Sequence, residues 1–153
     1  VNDVPKALQL FRERENVPCD QAAFESMRIE AGMPLFGIDF NDQNFPQEVN
    51  RDREAISFTK GCYLGQETVA RIDALGHVNQ KLVGVRFDGP DVPATEFELM
   101  KDGVQVGRVT SAAFSPQLRA PLALAMVRRE ANASGAALDS PVGIAKVISL
   151  PLS

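Results

Sequence analysis

The feature that most constrains this fold is a change in hydrophobic spacing near residues 76–80. Before it, apolar residues recur at helical intervals, and Phe24, Met27 and Ile29 predict an amphipathic helix that begins after Asp20. After it, apolar residues come in short runs separated by turn formers, which is typical of strands. The chain is therefore predicted to be α+β, with helices and loops first and strands second.

The second half predicts a small antiparallel β-barrel or a sandwich. Asp102-Gly103 supplies the positive φ values that a tight hairpin turn needs, and Gly107 is expected to mark a β-bulge. Val142, Ile144 and Lys146 alternate along the last strand. The predicted strands cover 82–87, the hairpin over 97–106, then 122–127 and 142–148.

The first half predicts three helices and one long connection. Gly32 and Pro34 are expected to end the helix that follows Asp20, because glycine and then proline commonly follow a helix C-terminus. Gly76 suits the end of the third helix. The other helices are expected from Asp3 to about residue 11 and over 63–75, and turn formers fill 34–59, a length of loop that is usually functional or crosses between domains.

Charge and cysteine content exclude several classes of function. The net charge of −4 does not favour direct binding of nucleic acid through a basic surface. Cys19, Cys62 and the single His77 do not have a metal-ligand spacing, so no metal site is predicted. No apolar run is long enough to span a bilayer, and no signal peptide is evident. A cytoplasmic protein without a membrane partner is the simplest expectation, or a mitochondrial one in a eukaryote.

Two segments of the first half carry a resemblance to a known family. Residues 28–39 read RIEAGMPLFGID and residues 60–67 read KGCYLGQE, with FPQE at 45–48 between them and TSAAFSP at 110–116 after them. In this order they resemble the C-terminal half of the folate-binding YgfZ and glycine-cleavage T-protein (GcvT) family. The cysteine-containing segment is similar to the YgfZ branch.

This resemblance implies two domains and a partner surface. Residues 1–76 would be the C-terminal part of a folate-binding domain, and residues 77–153 the aminomethyltransferase-type C-terminal β-barrel. The rest of the folate-binding domain is expected to lie outside this sequence. Exposed apolar surface is expected where that part would pack, and this surface would favour a dimer.

Cys62 is the candidate reactive thiol. A position near a helix N-terminus and next to Lys60 favours a thiolate, whereas the alternative is a structural cysteine in a turn. His77 is not expected to act as its base, so redox chemistry or thiol exchange is favoured over classical thiol catalysis. The motif residues are Lys60, Gly61, Cys62, Tyr63, Gly65, Gln66 and Glu67.

Arg28 and Glu30 are the candidate folate-binding residues. The resemblance implies that Arg28 holds the glutamate carboxylates of folate, because the donors of a guanidinium match two carboxylate oxygens. A structural ion pair is the alternative for Arg28 and Glu30. Gln66 and Glu67 either complement the helix dipole or contact a ligand. Arg71 is a further candidate for the same role as Arg28, and a position on a solvated helix face explains it equally well.

Three functions remain open at this point. The YgfZ resemblance implies a tetrahydrofolate-binding factor that supports assembly or repair of iron–sulfur clusters, with client proteins that include tRNA-modifying enzymes. The second is an aminomethyltransferase, the glycine-cleavage T-protein, which transfers a one-carbon unit to tetrahydrofolate. The third is a barrel-bearing interaction module without enzymatic activity.

Overall fold

The computed structural model describes residues 18–57, 59–62 and 65–152, together with Gln9 and Glu13. Of the helix predicted after Asp3, only Gln9 is among the described residues, and Tyr63 and Leu64 lie outside them. The described helices are α1 (Gln21–Glu30), the single-turn α2 (Asp52–Ala55) and α3 (Gln66–Leu75). The strands are β1 (Gln80–Phe87), β2 (Glu98–Lys101), β3 (Val104–Ser115), β4 (Ala120–Arg128), β5 (Ala137–Ser140) and β6 (Gly143–Ile148).

The six strands form a closed antiparallel barrel in the order β1-β4-β3-β2-β5-β6. Its interior is apolar, and Val85, Phe87, Leu99 and Val109 are fully buried there. The α+β prediction with a small antiparallel barrel is confirmed. The division near residue 76 stays a prediction, although β1 begins only four residues later, at Gln80.

The turn chemistry of the sequence places the helix ends and the hairpin correctly. The Asp20 side chain accepts a hydrogen bond from the Ala23 N–H, which caps α1. Gly76 ends α3 with a φ of 74°. Asp102 and Gly103 have φ values of 52° and 76°, as a two-residue turn between β2 and β3 requires.

A β-bulge lies beside Gly107, next to the predicted position. Leu99 pairs with Gly107 while Met100 pairs with Gln105, so Val106 is the additional residue on β3. A second bulge follows on the same strand, because Val109 and Ser111 pair with consecutive residues of β4 and leave Thr110 between them.

The alternation predicted for the last strand is present in β6. Ala145 and Val147 are buried, whereas Ile144 and Lys146 face outward, Ile144 with 46% exposure. The barrel interior selects the small Ala145 because it pairs with the bulky Phe87 of β1. Strand β5 was not predicted, since only its Leu138 is buried.

Helix α1 packs against the outer face of β3 and β4, and its Ile29 belongs to an apolar cluster on that outer side of the barrel. Ile29 is fully buried with Leu82, Leu122 and Leu124, and burial of such a side chain contributes about 1.5–3 kcal/mol. Phe24 and Met27 were expected in the core, but they are 44% and 65% exposed. They lie on the side of α1 roughly opposite Ile29, because residues two or five positions apart point to opposite sides of a helix. The helix side facing β3 carries Ser26 and Glu30, which bond to the Phe114 carbonyl and to Ser115.

Candidate functional site

The side chain of Arg28 is buried and is held by several hydrogen bonds within the chain. It lies in the last turn of α1 and is only 5% exposed. Nε donates to Glu25 Oε2 at 2.8 Å, and Nη2 donates to Ser111 Oγ at 2.7 Å and forms an ion pair with the same Glu25 oxygen at 2.5 Å. Nη1 donates to Asp39 Oδ2 at 3.0 Å and to the Met33 carbonyl at 3.3 Å. All three guanidinium nitrogens therefore donate to acceptors within the chain.

Asp39 is the counter-charge that makes burial of Arg28 possible. Its Oδ1 accepts from Thr110 Oγ1 and from Ser111 Oγ, both at 2.6 Å. Its Oδ2 accepts from the Leu35 N–H at 2.9 Å as well as from Arg28. A buried carboxylate is tolerated when its oxygens are satisfied in this way.

The bulge on β3 explains how two neighbouring hydroxyls reach one carboxylate. In a regular strand, consecutive side chains point to opposite faces. Thr110 is the additional residue of the bulge, so both Thr110 and Ser111 turn towards Asp39. We call Glu25, Arg28, Asp39, Thr110 and Ser111 the buried polar cluster. It joins α1, the following loop and the barrel.

Glu30 reaches the barrel at a different point. Its Oε1 accepts from Ser115 Oγ at 2.5 Å and from the Gln117 N–H at 3.2 Å. Its carbonyl accepts from the Leu152 N–H at 2.9 Å. Arg28 and Glu30 thus fix α1 to β3 and to the β3–β4 turn, and their roles in folate binding stay predictions.

Of the motif residues that the structure describes, Gln66 and Glu67 begin α3 and Gly65 directly precedes it, and Cys62 is exposed. Cys19 is also exposed, and both cysteines are free thiols. The Lys60 N–H donates to Ser57 Oγ at 3.2 Å. Gln66 is partly buried and Glu67 is exposed in the first turn of α3. Beside them is an apolar hollow of about 350 Å³, to which the motif contributes Lys60 and Gly65. The rest of its lining is Pro46, Ala55, Ile56, Ser57, Thr68 and Val69.

The FPQE segment, residues 45–48, connects α3 with the barrel. No contact of this kind was predicted from the sequence. Gln47 is buried, and its Nε2 donates to the Val69 carbonyl of α3 at 3.1 Å. The Glu48 carbonyl accepts from the Leu82 N–H of β1 at 2.7 Å. This segment therefore sets the position of α3 relative to β1.

Asp39, Thr110 and Ser111 are the site residues that sequence reasoning missed. Each lies within one of the segments that carry the family resemblance, residues 28–39 or 110–116. Their pairing, however, joins positions more than 70 residues apart. A buried arginine requires a carboxylate partner, and the search for one near Arg28 would have pointed to Asp39 at the end of the same segment.

A polar cleft lies between the loop at residues 37–44 and the outer face of β1, β4 and β3. Its volume is about 500 Å³. The lining includes Asp39 and Thr110 of the buried polar cluster. We call it the barrel cleft. Arg71 and His77 are exposed and do not line it.

Neither a metal-binding cluster nor a membrane-spanning helix is present in the described part of the chain. No group of three His, Cys, Asp or Glu side chains in residues 18–57, 59–62 and 65–152 could hold a metal ion. No helix among these residues is long and apolar enough to cross a membrane.

Comparison with known proteins agrees with this architecture. Residues 80–152 match the glycine cleavage T-protein C-terminal barrel domain. The barrel of this chain is therefore similar to the C-terminal barrel of glycine cleavage T-proteins. The chain is 34% identical to the aminomethyltransferase of a Nostoc species, over 72% of this chain and 29% of that protein. It is also 34% identical to the aminomethyltransferase of Symbiobacterium thermophilum, over 86% of this chain and 35% of that protein.

The glycine-cleavage fold extends beyond the barrel. A crystal structure of the glycine cleavage system aminomethyltransferase T from Bartonella henselae has a TM-score of 0.85 with this chain. It is 21% identical and covers 97% of this chain and 43% of that one. The likeness shows that the segment before the barrel shares the same fold. The chain spans about a third of the length of the two curated relatives. These matches support the aminomethyltransferase alternative better than the YgfZ interpretation.

Proposed function

We propose that this chain supplies the barrel and the adjoining ligand-facing segment of a tetrahydrofolate-dependent protein of aminomethyltransferase type. Such a protein moves a one-carbon unit from a protein-bound aminomethyl group to tetrahydrofolate and releases ammonia. The observation that carries the proposal is the match of residues 80–152 to the T-protein barrel. Relatives named aminomethyltransferase, 34% identical and extending beyond that barrel, support it.

Arg28 fits the carboxylate of a folate glutamate. Its Nε–Nη2 edge already binds a carboxylate, that of Glu25, whose side chain is 25% exposed. The opposite Nη1 donates to the buried Asp39 and keeps the guanidinium in place. A folate carboxylate would replace Glu25 on the outer edge, and Asp39 and Ser111 would hold the arginine during the exchange. Tetrahydrofolate itself would supply the acceptor of the one-carbon unit.

Glu30 has one oxygen left for a ligand. Its Oε1 is held by Ser115 and Gln117, whereas no described residue forms a hydrogen bond with Oε2. We propose that Glu30 fixes the C-terminal end of α1 through Oε1 and faces folate through Oε2.

The proposal is tested with a fusion protein. In the Nostoc aminomethyltransferase, the matched segment is exchanged for the corresponding residues of this chain, and tetrahydrofolate-dependent release of ammonia from an aminomethylated carrier protein is measured. The fusion is expected to release ammonia only when tetrahydrofolate is present. A fusion that melts cooperatively and binds tetrahydrofolate but releases no ammonia would contradict transferase activity. The unmodified relative is the positive control.

The exposed thiol of Cys62 favours a second candidate. A tetrahydrofolate-binding factor of YgfZ type, supporting iron–sulfur cluster assembly or repair and tRNA-modifying clients, would use an accessible cysteine at this position. A folded fusion that binds tetrahydrofolate without releasing ammonia would favour this second candidate over the first.

A further inference from the structure

We propose that the barrel cleft is a binding site for a small dicarboxylate. Its volume of about 500 Å³ is far larger than a single ion needs and is in the range of small-molecule sites. Most of the side chains that line it are polar, among them Gln43, Gln80, Gln105, Arg108 and Arg128. This site does not depend on the proposed transferase activity.

Two arginines stand on the same outer face of the barrel. Arg108 of β3 pairs with Met126 of β4, and Arg128 lies two residues further along β4 on the same face. Residues in such diagonal positions are within reach of each other when their side chains are long. Two planar guanidinium groups at this spacing suit a molecule with two carboxylates, because each fork matches one carboxylate.

The charge on this face is available to a ligand. Among the residues that the structure describes, Arg128 forms no ion pair. Arg108 pairs with Glu96 at 2.6 Å, but both side chains are more than half exposed, so solvent screening makes this pair easy to exchange. Gln80 is directly opposite Arg128 and adds an amide donor beside it.

The walls of the cleft are held in place before any ligand arrives. The loop wall is fixed through Asp39, which bonds to Thr110 and Ser111 of the barrel wall. Both bulges of β3, at Val106 and Thr110, border the cleft, and bulges commonly re-aim side chains next to binding sites. A cleft whose two walls are tied together loses little conformational entropy when it binds a ligand.

The test is an NMR titration of the ¹⁵N-labelled 153-residue chain with adipate at constant ionic strength. Saturable shifts are expected at Gly107 and at the Arg128 Nε–H. Arg128→Gln should weaken the affinity by about tenfold, since it removes charge-assisted hydrogen bonds. Arg129→Gln is the matched control: Arg129 is exposed, carries the same charge and does not line the cleft, so this variant should bind within about twofold of the unmodified chain.

Three results would overturn the proposal. The first is a shift that grows linearly with adipate and never saturates. The second is an equal loss of affinity in Arg129→Gln, which would indicate general attraction by positive charge. The third is tighter saturation of the same resonances by inorganic phosphate, which would assign the cleft to phosphate groups. Amide spectra of both variants check that the barrel remains folded.

Discussion

Asp39 connects three parts of the molecule through one side chain. It bonds to Arg28 of α1, to the Leu35 N–H of its own loop and to Thr110 and Ser111 of β3. Removal of its carboxylate leaves Arg28 buried with only the partly exposed Glu25 as a counter-charge. An uncompensated buried charge is among the most destabilising changes a single substitution can make.

We expect Asp39→Ala to lower the free energy of unfolding by about 3 kcal/mol, the lower end for a broken buried pair because Glu25 remains. Urea unfolding measures this change. Glu96→Gln breaks the exposed pair with Arg108 and is the control, with an expected loss below about 1 kcal/mol. Equal losses in the two variants would show that the buried polar cluster does not stabilise the fold.

Cys62 and Cys19 allow an internal comparison of thiol reactivity. Both are exposed and free, and both precede a helix, Cys19 ahead of α1 and Cys62 ahead of α3, but only Cys62 has a lysine, Lys60, two residues away. If this surrounding activates the thiol, iodoacetamide should modify Cys62 in the Cys19→Ser variant faster than Cys19 in the Cys62→Ser variant across pH 6–9. Modification of Cys62 no faster than Cys19 would remove the argument for a reactive thiol and weaken the YgfZ candidate.

Strand β3 carries most of the local distortion of the barrel. Its two bulges lie at Val106 and Thr110, and Gly107 is between them. An added Cβ at Gly107 would meet the Met126 carbonyl at 2.9 Å and Val127 Cγ2 at 3.0 Å. The close approach of β3 and β4 at this point therefore depends on glycine.

We expect Gly107→Ala to destabilise the barrel by about 1–3 kcal/mol, because backbone atoms of β4 must move to admit the methyl group. Gly61→Ala is the matched control, since no atom lies within 4 Å of its added Cβ and its φ is not positive. Thermal unfolding followed by circular dichroism compares the two. An unchanged melting temperature in Gly107→Ala would show that the two strands separate without cost.

Local chemistry explains which elements could be predicted from the sequence. Asp20, Gly76 and Asp102-Gly103 impose backbone geometry within a few residues, so the helix ends and the hairpin were predictable. The four-residue β5 has little local signal, and the buried face of β6 depends on its pairing with β1. The pairing of Asp39 with Ser111 depends on the bulge at Thr110, which no local pattern in the sequence indicates.

At the scale of the whole molecule, apolar surface remains uncovered on the segment before the barrel. Met27, Met33, Phe36 and Ile38 are each more than half exposed. In the two aminomethyltransferase relatives, the part that does not match this chain is about twice as long as the part that does. We propose that a segment corresponding to that unmatched part covers this surface. A dimer of the 153-residue chain through the same surface stays a prediction.

A folate cavity formed with such a further segment would be incomplete in this chain alone. Arg28 and Glu30 would supply only one side of it. We therefore expect the 153 residues to bind tetrahydrofolate weakly, whereas the fusion with the Nostoc relative should bind it as the unmodified relative does.

Calorimetric titration with tetrahydrofolate tests the central claim most directly. The account predicts that the fusion binds tetrahydrofolate and that the chain alone binds at least about 100-fold more weakly, a difference of about 2.7 kcal/mol. Two results would contradict it: tight binding by the chain alone, or a folded fusion that fails to bind while the unmodified relative binds.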